Sequence, residues 1–83
     1  MDHAQILEQL TDIFRDVLND DGLLLTPEMT AADVPQWDSF NHINIEVAAE
    51  VRFGIKFKTA ELEELKNIEE FVALIERKLT NKR

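Results

Sequence analysis

An 83-residue chain with a net charge of −8 and no cysteine makes one small domain, since domains usually run to about 100–200 residues. It buries only about 60–65% of its unfolded surface, which excludes a deep catalytic cavity, and the missing cysteine excludes disulfides, thiolate nucleophiles and Cys-based metal sites. The charge is uneven, −10 over residues 1–51 and +2 over residues 52–83, so the front half repels phosphate backbones, argues against nucleic acid as a ligand and suits partners with basic docking surfaces.

The N-terminal stretch MDHAQILEQL has neither the basic start nor the continuous apolar run of a signal peptide. No segment approaches the roughly 20 apolar residues of a bilayer span, so a soluble, cytoplasmic protein without membrane insertion is expected. Ile6, Leu7, Leu10, Ile13, Phe14, Val17 and Leu18 recur at helical spacing and predict a first amphipathic helix over about 3–19. Asp2 with Gln5 forms a capping box at its start. Asn19, Asp20, Asp21 and Gly22 end it, because they compete for the backbone or favour left-handed geometry.

A connection over 20–38 follows, punctuated by Pro27 and Pro35 and anchored by Leu23, Leu24, Leu25, Met29 and Val34. Loops this long tend to be functional; this one also serves as a packed crossover between helices. A second helix is predicted over 39–53, closed by Gly54 with Ile55 as its apolar follower. A short third helix is predicted over 59–65. The fourth, over 68–80, starts at a capping box in Asn67-Ile68-Glu69-Glu70. It buries Ile68, Phe71, Val72, Leu74, Ile75 and Leu79, and frays into the basic Asn81-Lys82-Arg83. Nothing reads as a strand. The expected class is all-α: a single domain over 1–83 forming a small four-helix bundle of three long helices and one short one, with a monomer as the default.

The second helix carries two apolar stripes where a bundle needs one. At about 100° per residue from Phe40, Ile45, Ala49 and Phe53 fall near 140°, 180° and 220° and form a core face. Phe40, Ile43, Val47 and Val51 lie on the opposite side, where an apolar stripe must cover a loop, meet a partner or line a cavity. Ser39, Glu46 and Glu50 lie close to that second stripe. Ser39 also sits in the first turn, where free N–H groups and the macrodipole favour negative charge. Either Asp38 or Ser39 also suits a plain N-cap.

Nucleophilic catalysis by Ser39 would need a base, a group orienting that base and an oxyanion site. His42 stands three residues on, but Asp38 is beside the serine rather than behind the histidine, and no G-x-S-x-G elbow is present. His42 is expected on the helix surface, and His3 has no assigned role. The two histidines and the scattered carboxylates show no metal-ligand spacing. No catalytic residue is expected.

Asp38-Ser39-Phe40, placed at the start of a helix after a long loop and an amphipathic first helix, resembles the Asp-Ser-Leu attachment motif of the acyl carrier protein family. The likeness runs through Phe53, Ile55, Phe57 and the final helix NIEEFVALIERKL. The resemblance implies that Ser39 is esterified by 4′-phosphopantetheine, given up by coenzyme A to a Mg²⁺-dependent phosphopantetheinyl transferase, with Asp38 supporting the modification. It also implies a carrier rather than an enzyme, served by an acyl- or aminoacyl-loading ligase and by downstream acyl-transfer enzymes of fatty-acid, polyketide or related pathways. In that picture Phe40, Ile43 and Val47 form the apolar centre of a docking face and Glu46 and Glu50 its charged rim. Trp37 either joins that face or anchors the loop on the core.

Two departures stand out. Trp37 and Phe40 flank the Asp-Ser pair where fatty-acid members carry a small residue and Leu. Asn41, His42, Asn44 and Arg52 also dilute the acidic face of the second helix. These features predict a specialised carrier. The competing reading is a carrier-like interaction module that is never modified.

Overall fold

The computed structural model describes residues 2–80. There the chain forms four helices, α1 (His3–Leu18), α2 (Ser39–Phe53), α3 (Thr59–Glu63) and α4 (Ile68–Thr80). No strand forms among the described residues; the expected fraying at Asn81-Lys82-Arg83 lies outside them.

The helix ends follow from local chemistry. The Asp2 carboxylate accepts the Gln5 N–H at 2.8 Å, and Gln5 Oε1 accepts the Asp2 N–H at 3.1 Å. At the other end Asn19 turns left-handed, φ 54°, with its N–H on the Arg15 carbonyl, so α1 stops at Leu18. Gly54 does the same for α2 at φ 67°, where a side chain would be strained. Its N–H and that of Ile55 both reach the Glu50 carbonyl, while the Ile55 side chain is buried.

Two ends differ from expectation. Helix α3 stops at Glu63, not at Leu65. None of its residues is buried, so no apolar face extends it, and the Leu65 N–H folds back onto the Leu62 carbonyl at 3.3 Å in a tighter turn. Lys78 of α4 holds this short element through a 2.8 Å ion pair with Glu61, whose other contact is the Lys58 N–H at 2.9 Å. At α4, Asn67 Oδ1 accepts the Glu70 N–H at 2.9 Å as the capping box requires. The returning bond, however, goes one residue earlier, from the Lys66 N–H to the Glu70 carboxylate at 2.8 Å.

The long connection is a working part of the bundle. The N–H groups of Ile68 and Glu69, orphaned by the start of α4, donate to the carbonyls of Met29 and Pro27 at 2.9 and 2.8 Å. Arg15 Nε donates to the Leu23 carbonyl at 2.6 Å, and Leu25 and Val34 are buried. Helix α1 packs against both α2 and α4. It presents Ile6, Leu10, Ile13 and Phe14 to a core shared with Ile45, Ala49 and Phe53 of α2 and Ile68, Phe71, Val72 and Ile75 of α4. Thr11, buried among them, donates its hydroxyl to the Leu7 carbonyl at 2.8 Å.

Phe14 sits at the centre. Its ring meets Trp37 edge-on at 5.1 Å and Phe71 at 6.5 Å. Phe14→Ala is expected to cost about 3–5 kcal/mol, as large aromatic truncations do. Urea denaturation checks this, and a loss under about 1 kcal/mol would show that the core closes without it.

Candidate functional site

Asp38 settles how α2 begins. Its carboxylate accepts the Asn41 N–H at 2.9 Å and its carbonyl accepts the His42 N–H at 2.8 Å, while Asn41 Nδ2 donates to the Gln36 carbonyl at 2.8 Å. Asp38 is therefore the cap, and Ser39 is the first helical residue. Ser39 is exposed, and its hydroxyl has no hydrogen-bond partner among the described residues. The N–H groups of Ser39 and Phe40 likewise lack intrahelical acceptors. The result is a free hydroxyl in a field that favours an anion.

Trp37 corrects one expectation. It is only 9% exposed, packed on Phe14, so it anchors the loop and presents no docking surface. Its buried indole N–H donates to His42 Nδ1 at 2.9 Å.

His42 corrects another. It is half-buried rather than on the open surface, with ring contacts to Trp37 at 5.7 Å and Phe71 at 6.2 Å. The signal was present in the helical wheel, where His42 falls at about 200°, on the same face as Ile45, Ala49 and Phe53. Burial lowers its pKa from the usual 6.5. His42 also makes no bond to Ser39, so the serine–histidine pairing that hydrolysis needs is not assembled. His3 is not idle either: its Nε2 pairs with Glu76 at 2.7 Å.

The second apolar stripe is uncovered. Phe40, Ile43, Val47 and Val51 are 72%, 58%, 53% and 80% exposed. The two acidic residues beside it differ. Glu50 is committed to the fold, accepting the Phe57 N–H at 2.9 Å. Glu46 has its pKa raised, first by partial burial and then by the neighbouring Glu50.

On its other side Ser39 borders a cleft of about 220 Å³, lined by Trp37, His42, Ala31, Leu62, Leu65 and Lys66 together with Asp38. Leu62 and Leu65 reach it only through the fold of α3 and the turn after it, and no sequence spacing marks them. Among the described residues no group of side chains is arranged to hold a metal ion, and no helix is long and apolar enough to cross a membrane.

Two outcomes are expected from these contacts. Asp38→Ala should cost about 1 kcal/mol of stability, the usual value of a cap, whereas Ser39→Ala should stay within about 0.5 kcal/mol; equal losses in thermal unfolding would assign the cap wrongly. His42, with its folded-state pKa depressed, binds fewer protons folded than unfolded. Its contribution is thus fully present above about pH 6.5 and is lost as pH falls through the lower folded-state value. The thermal midpoint should fall over that window in the parent and less in His42→Gln. Parallel profiles would show that His42 does not set the dependence.

No protein-family model matches the chain. It is 29% identical over 79 residues to an acyl carrier protein of Thermosynechococcus vestitus, covering 95% of this chain and 98% of that one. It is 27% identical over 73 residues to an acyl carrier protein of Thermobifida fusca, covering 88% and 92%. Among solved structures, the solution NMR structure of holo acyl carrier protein from Geobacter metallireducens matches with a TM-score of 0.87 and 44% identity, across 93% of this chain and 88% of that one. With that identity and that superposition over nearly its whole length, the chain belongs to the acyl carrier protein family.

Proposed function

We propose that Ser39 is the attachment point of a covalent 4′-phosphopantetheine and that the chain carries acyl or aminoacyl groups for a specialised biosynthetic pathway. Membership of the family makes the protein a carrier rather than an enzyme and implies a phosphopantetheine group. The observation that carries the assignment to Ser39 is its hydroxyl: exposed, unbonded and in the first turn of α2 directly after the capping Asp38.

The residues present fit the group. The free N–H groups of Ser39 and Phe40 suit a phosphate, and the cleft and open surface on either side leave room for an arm. When bound, the group supplies a flexible arm whose thiol holds the cargo as a thioester, activated for transfer and kept at high effective concentration near successive enzymes. In the modification the Ser39 oxygen forms the new phosphoester bond and gives up its proton, while coenzyme A releases adenosine bisphosphate. Asp38 holds the serine at the helix start through its bond to Asn41, and in this reading its carboxylate would help the transferase position Mg²⁺ and the serine.

Docking is assigned to Phe40, Ile43 and Val47 at the centre with Glu46 and Glu50 beside them. A small apolar patch with a charged border suits transient contact with basic surfaces of a phosphopantetheinyl transferase, a loading ligase and acyl-transfer enzymes. The chain works as a monomer in the cytoplasm.

Incubation with coenzyme A, Mg²⁺ and a broad-specificity phosphopantetheinyl transferase should add one phosphopantetheine mass to the parent and none to Ser39→Ala. No gain in intact mass with several transferases would replace this reading with that of an unmodified interaction module.

A further inference from the structure

The cleft beside Ser39 has walls of two kinds. Ala31, Leu62, Leu65 and the face of Trp37 are apolar, and His42 stands among them. An indole N–H only donates, so its 2.9 Å bond to His42 Nδ1 requires a lone pair there. The proton of the neutral ring is therefore on Nε2. That nitrogen has no hydrogen-bond partner among the described residues, and it is not sealed in the core, since no buried side-chain nitrogen lacks a partner. Burial keeps the ring neutral, which preserves this tautomer near neutral pH. Lys66 also lines the cleft but is exposed, where water satisfies its ammonium.

The cleft is also small. At roughly 30 Å³ per water-sized group, its 220 Å³ takes about seven such groups. Trp37 closes its base against Phe14 at 5.1 Å, and His42 closes it against Phe71 at 6.2 Å. A long hydrocarbon would have to part these rings or leave its end in water on the open side. A short alkyl group would fit but would cover the Nε2–H without pairing it, and an unpaired buried donor is costly.

We propose that this cleft selects a short carried group, of up to about seven non-hydrogen atoms, bearing a hydroxyl or carbonyl oxygen that accepts from Nε2–H of His42. The inference rests on the carrier reading above, and the test separates the two.

The apo protein is converted with a broad-specificity transferase and either coenzyme A or its 3-hydroxybutyryl, butyryl and dodecanoyl thioesters, and intact mass is read first. Absence of any mass gain overturns the carrier reading and this inference with it. On the loaded proteins two quantities are then followed: the nitrogen resonance of His42 Nε2 with the methyl resonances of Leu62 and Leu65, and the rate of thioester hydrolysis. The hydroxybutyryl form should shift both sets and hydrolyse about two- to tenfold more slowly than the butyryl form, the range that one net hydrogen bond supplies. His42→Phe, which keeps a ring but has no donor, should erase that difference. His42→Gln, whose amide both accepts from Trp37 and donates to the cleft, should retain most of it, so a folding defect in one variant does not decide the matter. Equal shifts and rates for hydroxybutyryl and butyryl forms would overturn the proposal. So would a His42 shift in the cargo-free holo form as large as in the loaded one, which would assign the acceptor to the arm. Stronger protection of the dodecanoyl form would overturn the size limit.

Discussion

The indole of Trp37 lies edge-on to Phe14 at 5.1 Å and donates its N–H to His42 at 2.9 Å, and most of the site hangs on this pair of contacts. Trp37 precedes Ser39 by two residues, so burying it fixes where the loop delivers the start of α2. Its N–H cannot be buried unpaired without a cost of about 1–3 kcal/mol. His42, one turn into α2, removes that cost and is itself held in one orientation and one tautomer. Phe71 of α4 then touches Phe14, His42 and Phe57, so the loop, the three long helices and the segment before α3 converge on one aromatic cluster. The serine stays exposed because the residue two places before it is so firmly placed.

Helix α2 is divided between folding and contact. Only Ile45, Ala49 and Phe53 are buried along it, few for fifteen residues, and the fully buried Ala49 lets α1 come close. Phe40, Ile43, Val47 and Val51 face water together, an arrangement that adds nothing to the stability of the isolated chain. Glu46 and Glu50, four residues apart, repel one another as like charges one helical turn apart do, and the raised pKa of Glu46 records part of that repulsion. Glu50 is held in place by the Phe57 N–H and does not swing away.

Much of this arrangement was legible in the sequence because local rules governed it. The capping box at Asp2, the glycine stop at Gly54, the spacing of α1 and α4 and the two stripes of α2 each depend on residues within one or two turns, and the structure reproduces them. What was not legible depends on distant packing. Trp37 is compatible with a docking face or a core until Phe14 is seen beneath it. His42 reads as polar and therefore external, although its place on the wheel belongs to the core face; a distant indole donor makes its burial tolerable. Leu62 and Leu65 become walls of a cleft through contacts distant in sequence: Leu65 packs on the core, and Lys78, sixteen residues beyond Leu62, ties α3 to α4 through Glu61. The carbonyls of Pro27 and Met29 reach the start of α4 without any side-chain signal at all.

The two walls of the cleft are therefore anchored very differently. Trp37 and His42 belong to the aromatic core, and moving them means opening the contact between α1 and α4. Leu62 and Leu65 belong to a five-residue helix with no buried residue and the turn that follows. That helix is tied to α4 by the Glu61–Lys78 ion pair, and the turn after it rests on the core through the partly buried Leu65. Regions with few buried contacts open at low free-energy cost, while the core around them stays closed. The wall that carries the His42 donor is therefore rigid, and the wall facing it is the one that can give way without any change in the bundle.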